Sequence, residues 1–126
     1  MHGFLVSAAF LMVMAGSSPL AEGVWGGPHI QLTVDAEGGA TVEMDCAHGT
    51  LKGPVAVGKD GRFHAAGTYV AEHAGPVREG EEEGRPALYE GRVEGKSLTL
   101  VIKVGEEEVG TFELTRGRAS RITKCL

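Results

Sequence analysis

The stretch "SLTLVIKVGEEEVGTFELT", residues 97 to 115, decides the fold. Apolar side chains take every second place in its first half: Leu98, Leu100, Ile102 and Val104. A period of two marks a strand with one buried face, because successive side chains of an extended chain point to opposite sides. "GEEE" then turns the chain, and Phe112 and Leu114 resume the alternation. Two alternating runs joined by a short Gly-led turn form an antiparallel hairpin.

The pattern extends towards both ends. "HIQLTV" sets Ile30, Leu32 and Val34 on one face, "AEGG" is a turn, and "ATVEMDC" aligns Val42, Met44 and Cys46. That reading puts Cys46 on the apolar face of a strand and His48 past its end, as a turn residue. "PVAV" reads as a short strand and "GKDG" as a hairpin turn. "RFHAAGTYVAE" places Phe63, Ala65, Gly67 and Tyr69 together; "ALYEGRVE" does the same for Ala87, Tyr89, Gly91 and Val93. "HAGPVREGEEEGRP" between them is a long polar loop, "RGR" is a turn, and "ASRITKC" is the last strand. No stretch after the first residues holds a helical period. The expectation is an all-β domain of about eight strands in an antiparallel meander. Such a meander removes its exposed edges by closing into a small barrel; a two-sheet sandwich is the other packing of the same strands.

The chain opens "MHGFLVSAAFLMVMAGSSPLAEG", and its first formal charge is Glu22. An apolar run followed by small residues has the layout of a secretory signal peptide, and it falls short of the about 20 apolar residues that span a bilayer. The expected division is a leader over 1–21 and one domain over 22–126. Cleavage after Ala21 would put Pro19 three residues before the bond. Cleavage after Ser17 would put Ala15 there, which suits the small-x-small rule better. The expected mature chain begins between Ser18 and Gly23, exported to the periplasm or the medium, with no stable membrane anchor. The net charge is −5, which argues against nucleic acid, since phosphates call for clustered Lys and Arg.

Cys46 and Cys125 are the only cysteines. In an exported chain they are expected to form a disulfide. It would close a loop of about 80 residues and pin the C-terminus, with roughly 4–5 kcal/mol from loop-closure entropy. "CAHG" has two other readings. A nucleophilic Cys46 would need a thiolate and a placed base. A zinc site would need further ligands, for which His48, His64 and His73 are available without an established spacing. The four Glu of "REGEEEG" lack the alternating frame of a calcium loop, so no metal and no cofactor is expected. The basic tail "RGRASRITK" is complementary to that loop or to Glu106–Glu108. Tyr69 and Tyr89 each have a glycine two residues away on the same face. That spacing suits either a ring lying over bare backbone or space for a ligand. No Ser-His-Asp frame, phosphate loop or nucleotide fingerprint occurs.

"GVWGGPHIQLTV" carries a resemblance. Gly23 and Trp25 at the first strand, with an Arg on the last (Arg121, or else Arg118), resemble the lipocalin and wider calycin pattern. The resemblance implies a barrel closed at one end by Trp25, with the arginine packed across it. "MDC…KC" is similar to the bacterial inhibitors of c-type lysozyme, small exported barrels stapled from an early strand to the C-terminus. "HAAGTYV" is faintly similar to their Ser-Gly-x-x-Tyr loop, although Ala66 stands near the place of the serine and Met44 replaces a tyrosine.

The expected function is non-enzymatic binding, either of a small apolar ligand in the barrel or of a protein through surface loops. Inhibition of a hydrolase such as lysozyme is the alternative. Candidate binding residues are Tyr69 and Tyr89 for the interior, and His73 and Arg78 in the loop over 73–86. The inward residues Met44, Phe63, Tyr69, Tyr89, Leu100, Ile102 and Phe112 are large enough to fill the lumen, which favours the surface.

Overall fold

The computed structural model describes residues 16–80 and 84–125. Residues 1–15, where the expected leader falls, and residues 81–83 of the long loop lie outside the described part. Among the described residues there are ten strands: β1 (Ser17–Pro19), β2 (Gly23–Gly27), β3 (Ile30–Val34), β4 (Ala40–Met44), β5 (Ala47–Leu51), β6 (Ala56–Gly58), β7 (Arg62–Ala71), β8 (Arg85–Glu94), β9 (Ser97–Val104) and β10 (Glu107–Arg116). Eight of them, β2 to β5 and β7 to β10, form a closed antiparallel barrel in chain order, with β10 returning to β2. β1 and β6 form a separate two-stranded sheet.

The expected hairpins at the C-terminal half are there. Glu94 pairs with Ser97 and Val104 with Glu107, leaving two-residue turns led by Gly95 and Gly105. Both glycines have positive φ, 61° and 62°, the conformation whose twist matches that of the flanking strands and that glycine adopts without penalty.

Membership of the barrel differs from the sequence reading in two strands. "PVAV" contributes β6, which pairs with β1 rather than with a barrel strand. Its valines are apolar because Val55 and Val57 cover one end of the core. "ASRITKC" forms no strand; apart from a single parallel bridge of Arg121 to Pro28, it is an extended strap. Their places are taken by β2 and by β5, "AHGTL". "ATVEMDC" is therefore not one strand. It turns at Asp45 and Cys46, so that Met44 pairs with Ala47 and Glu43 with His48. Cys46 sits exposed in a hairpin turn, and His48 is an outward residue of a strand.

The lumen is filled. Trp25, Ile30, Leu32, Val42, Tyr89, Leu98, Leu100 and Ile102 are each at most 1% exposed, and they belong to one continuous cluster. Phe63 and Met44 belong to it as expected, while Tyr69 and Phe112 pack at its margin, half-buried. Glycine makes the room. A Cβ on Gly91 would collide with the Phe63 ring. On Gly49 it would meet the Tyr89 hydroxyl, and on Gly67 it would lie 3.1 Å from Cε2 of the Tyr89 ring. The Tyr89 ring does lie over bare backbone, as one reading of the Tyr–Gly spacing had it, but over Gly49 of β5 and Gly67 of β7 rather than over Gly91 of its own strand.

One end of the barrel is closed. Trp25 lies there and donates its indole N–H to the Ala21 carbonyl at 3.1 Å. The register makes Arg116 the partner of Trp25, and its Nη2 donates to the Glu22 carbonyl at 2.7 Å. Arg121, which the resemblance places beside the tryptophan, instead accepts a bond on its carbonyl from the His29 N–H at 3.0 Å. It occupies the strap because β10, the true last strand, ends at Arg116.

Candidate functional site

The opposite end carries the turns Pro28–His29, Asp45–Cys46 and Gly105–Glu106, together with the long loop from Glu72 to Gly84. The loop exists because β7 and β8 pair closely up to Tyr69 and Arg85, and the intervening Gly-, Pro- and Glu-rich residues have no apolar face to bury. Residues 73–80 are exposed, Val77 among them at 55%.

The strap ties this end to the barrel. Gly117 donates to the Val24 carbonyl at 2.7 Å. The chain then crosses the outside of β2 to β4. It passes so close to Gly26 that a Cβ there would strike the Arg118 carbonyl. Ser120 Oγ donates to Gln31 Oε1 at 2.8 Å. At the β4–β5 turn, Thr123 N–H bonds Asp45 Oδ1 at 2.9 Å and Cys125 N–H bonds the Asp45 carbonyl at 3.0 Å. The Cys46–Cys125 disulfide holds the end there, with Cα atoms 5.2 Å apart. The basic tail therefore does not lie against Glu106–Glu108. Its lysine meets other carboxylates.

Lys124 Nζ donates to Glu43 Oε1 at 3.1 Å, to Glu72 Oε2 at 3.0 Å and to the Met44 carbonyl at 2.9 Å. His48 Nδ1 lies 2.6 Å from Glu72 Oε2. A carboxylate only accepts, so this nitrogen carries the proton. Ligand atoms of Glu43, His48 and Glu72 lie within 4.8 Å of one another, a set suited to a cation. The lysine ammonium is the cation that these carboxylates already hold. Cys46, the sulfur once eligible as nucleophile or ligand, is consumed in the disulfide. The cluster is thus a clasp between strap, β4, β5 and the start of the loop.

Partial burial pushes the Glu72 carboxyl upward, but hydrogen bonds from His48 and Lys124 outweigh it and hold the group below its ordinary value. For Lys124 burial works downward, and bonds to Glu72 and Glu43 prevail, holding the amine above its ordinary value. A lowered carboxylate contributes above its unfolded pKa and loses that contribution as pH falls through the folded one. A raised amine contributes below its unfolded pKa and loses that contribution as pH rises through the folded one. The clasp is therefore expected to be complete between the ordinary values of 4.5 and 10.5, and to weaken outside them. Both groups are solvent-accessible, so the expected loss in Lys124→Met is at most about 1 kcal/mol. Amide exchange at Cys125, whose N–H bonds a backbone carbonyl and not a titrating group, checks this once corrected for intrinsic rates. Wild type should lose protection at both extremes of pH and Lys124→Met should not; identical profiles would remove the clasp's role.

Of the candidate binding residues, Tyr89 is fully buried in the core and its hydroxyl donates to the Thr68 carbonyl at 2.6 Å. Tyr69 is half-buried at the loop end, and burial together with the nearby Glu107 carboxylate pushes its phenol up. His73 bonds the Ala74 carbonyl through Nδ1 at 2.8 Å, and Arg78 stands exposed in the loop. Two clefts flank the loop. One of about 240 Å3 is lined by His48, Val70, Glu72, His73, Val77 and Cys125. The other, of about 380 Å3, is lined by Tyr69, Val70, His73, Gly80, Gly84 and Arg85. The sequence reading missed Val70, which is 8% exposed yet lies outside the barrel core. Gly84 packs so closely against it that a Cβ there would lie 2.8 Å from Val70 Cγ2, and Val70 and Cys125 line the same cleft. Its only sequence signal is an apolar residue on the wrong face of an otherwise regular alternation.

Comparison with known proteins finds no matching family model, no similar curated protein and no similar solved structure.

Proposed function

We propose that this chain is an exported, non-enzymatic binding protein of lipocalin-like build that recognises a protein partner on its outer surface, at the loop end. The observation that carries this reading is the filled lumen. Tyr89, Leu98, Leu100 and Ile102 occupy the space in which a hollow barrel would hold a ligand. Binding then falls to the outside, where loops positioned by a rigid scaffold do such work. The disulfide supports export, because such bonds persist in oxidising compartments. No residue in this reading acts as nucleophile or base.

A second reading is inhibition of a cationic hydrolase such as lysozyme. Carboxylates at the loop end favour it: Glu72 and Glu79 lie in its loop, Glu106 in the β9–β10 turn, and Glu107 and Glu108 open β10. Opposite charge steers association and rejects wrong partners.

The test replaces residues 74–80 with a Gly-Ser pair and compares both proteins. A photo-cross-linker at Arg85, exposed at the loop end and kept in both proteins, would report any partner in the native host, and c-type lysozyme turnover would report inhibition. Loop length contributes little to stability, so the shortened protein should fold, lose any cross-linked partner and lose any inhibition. If it keeps its partner, and Tyr69→Ala instead loses a small molecule seen by native mass spectrometry, a cavity ligand replaces the surface reading.

A further inference from the structure

The leader's end has two eligible bonds in the sequence, after Ser17 and after Ala21, and the fold separates them. Ser18 pairs with Val57 and Pro19 with Ala56. The Leu20 N–H donates to the Val55 carbonyl at 3.0 Å, and its side chain is 3% exposed, packed in the core cluster with Trp25, Val55 and Val57. The Ala21 carbonyl accepts the indole N–H of Trp25, itself 1% exposed. Cutting after Ala21 would remove an apolar plug from the closed end and leave a buried donor without this acceptor. Both losses are costly in a small core. Gly16, Ser17 and Ser18, by contrast, are exposed, and a cut after Ser17 takes from β1 only the terminal pair of Ser17 with Gly58.

We propose that processing hydrolyses the Ser17–Ser18 peptide bond and that Ser18 to Ala21 remain as a structural part of the mature barrel. The proposal rests on the export reading above. The enzyme would be an endopeptidase that reads small side chains at the first and third residues before the bond. Ser17 and Ala15 supply them, whereas Pro19 occupies the third place before the Ala21–Glu22 bond. Water adds its hydroxyl to the Ser17 carbonyl carbon, the C–N bond breaks, and the Ser18 nitrogen departs with the remaining proton as the new amino terminus. Strand β1 then keeps Ser18 and Pro19, and the plug stays in place.

Two measurements test this independently. Intact mass and N-terminal sequencing of exported protein from its own host should show a chain beginning at Ser18. A start at Glu22, or at any other residue past Met1, overturns the assigned bond and leaves export standing; a retained Met1 overturns both. Separately, oxidised chains produced to begin at Ser18 and at Glu22 are compared by thermal unfolding. The Glu22 chain should melt lower by on the order of 10 °C, with Trp25 emission shifted to the red. A Glu22 chain that does not fold is the extreme of the same result. Leu20→Ala in the Ser18 chain then supplies the graded version, with a lowered midpoint. Equal midpoints for Ser18 and Glu22 chains, or no shift in Leu20→Ala, would sink the structural reason for the bond chosen.

Discussion

Opening the Cys46–Cys125 bond, by reduction or by paired Cys46→Ala and Cys125→Ala substitutions, is expected to lower the unfolding free energy by about 4–5 kcal/mol. The bond spans a sequence separation of 79 residues, and the loop contains every barrel strand from β5 to β10. An unfolded chain freed of that constraint gains conformational entropy that grows with loop length. Domains of this size have only about 5–15 kcal/mol in total, so the loss is a large fraction of what is there. The effect should be graded in space as well. The strap has no strand pairing beyond one bridge, so the amides of His29, Thr123 and Cys125, bonded to or from the strap, should lose exchange protection first. Urea titrations with and without reductant measure the global part. Coincident curves, or two reactive thiols in the native unreduced protein, would contradict the staple.

Tyr89→Ala should remove about 3–5 kcal/mol, the usual cost of deleting a large buried aromatic. The side chain is 0% exposed and lies over Gly49 and Gly67. Those glycines cannot refill the space, since they have no side chains to reorient. Tyr89→Phe separates packing from hydrogen bonding. It keeps the ring but leaves the Thr68 carbonyl without its 2.6 Å donor, a loss of about 1–2 kcal/mol. Gly67→Ala should be at least as harmful as Tyr89→Phe, because the new methyl would run into the Thr50 carbonyl of the paired strand. Burial, with a smaller effect from neighbouring Tyr69, pushes the Tyr89 phenol far above its ordinary 10.0. The neutral form is thus favoured in the folded state, and the contribution is lost as pH rises above the unfolded value. Tyrosinate absorbance in an alkaline titration should therefore show Tyr89 silent until the barrel unfolds. Chemical denaturation of the three variants against wild type gives the ranking. A Tyr89→Ala protein within 1 kcal/mol of wild type, on the order of experimental scatter, would mean the ring does not fill the lumen.

Local pattern was enough for the C-terminal half of the barrel. Alternation at Leu98, Leu100, Ile102 and Val104 and the glycines at 95 and 105 specify a meander by themselves, because period and turn chemistry are properties of adjacent residues. The cysteine pair was legible for a similar reason: with two cysteines there is one partner to choose. The tertiary structure decided which segments complete the barrel. Strand β5, "AHGTL", has Ala47, Gly49 and Leu51 inward. Its glycine is there because Tyr89, forty residues later, needs the space, so no apolar signal remains to read. Strand β2 carries Gly26 because the Arg118 carbonyl crosses it, and Gly27 because the Glu113 carbonyl does. "PVAV" looks like a strand for the converse reason, its valines being apolar to cover the closed end. The clasp at Lys124 joins residues from four parts of the chain, Glu43, His48, Glu72 and the strap. A glycine kept clear for a distant ring, and a lysine placed among distant carboxylates, have their causes far away in sequence. Only the closure of the barrel brings cause and effect together.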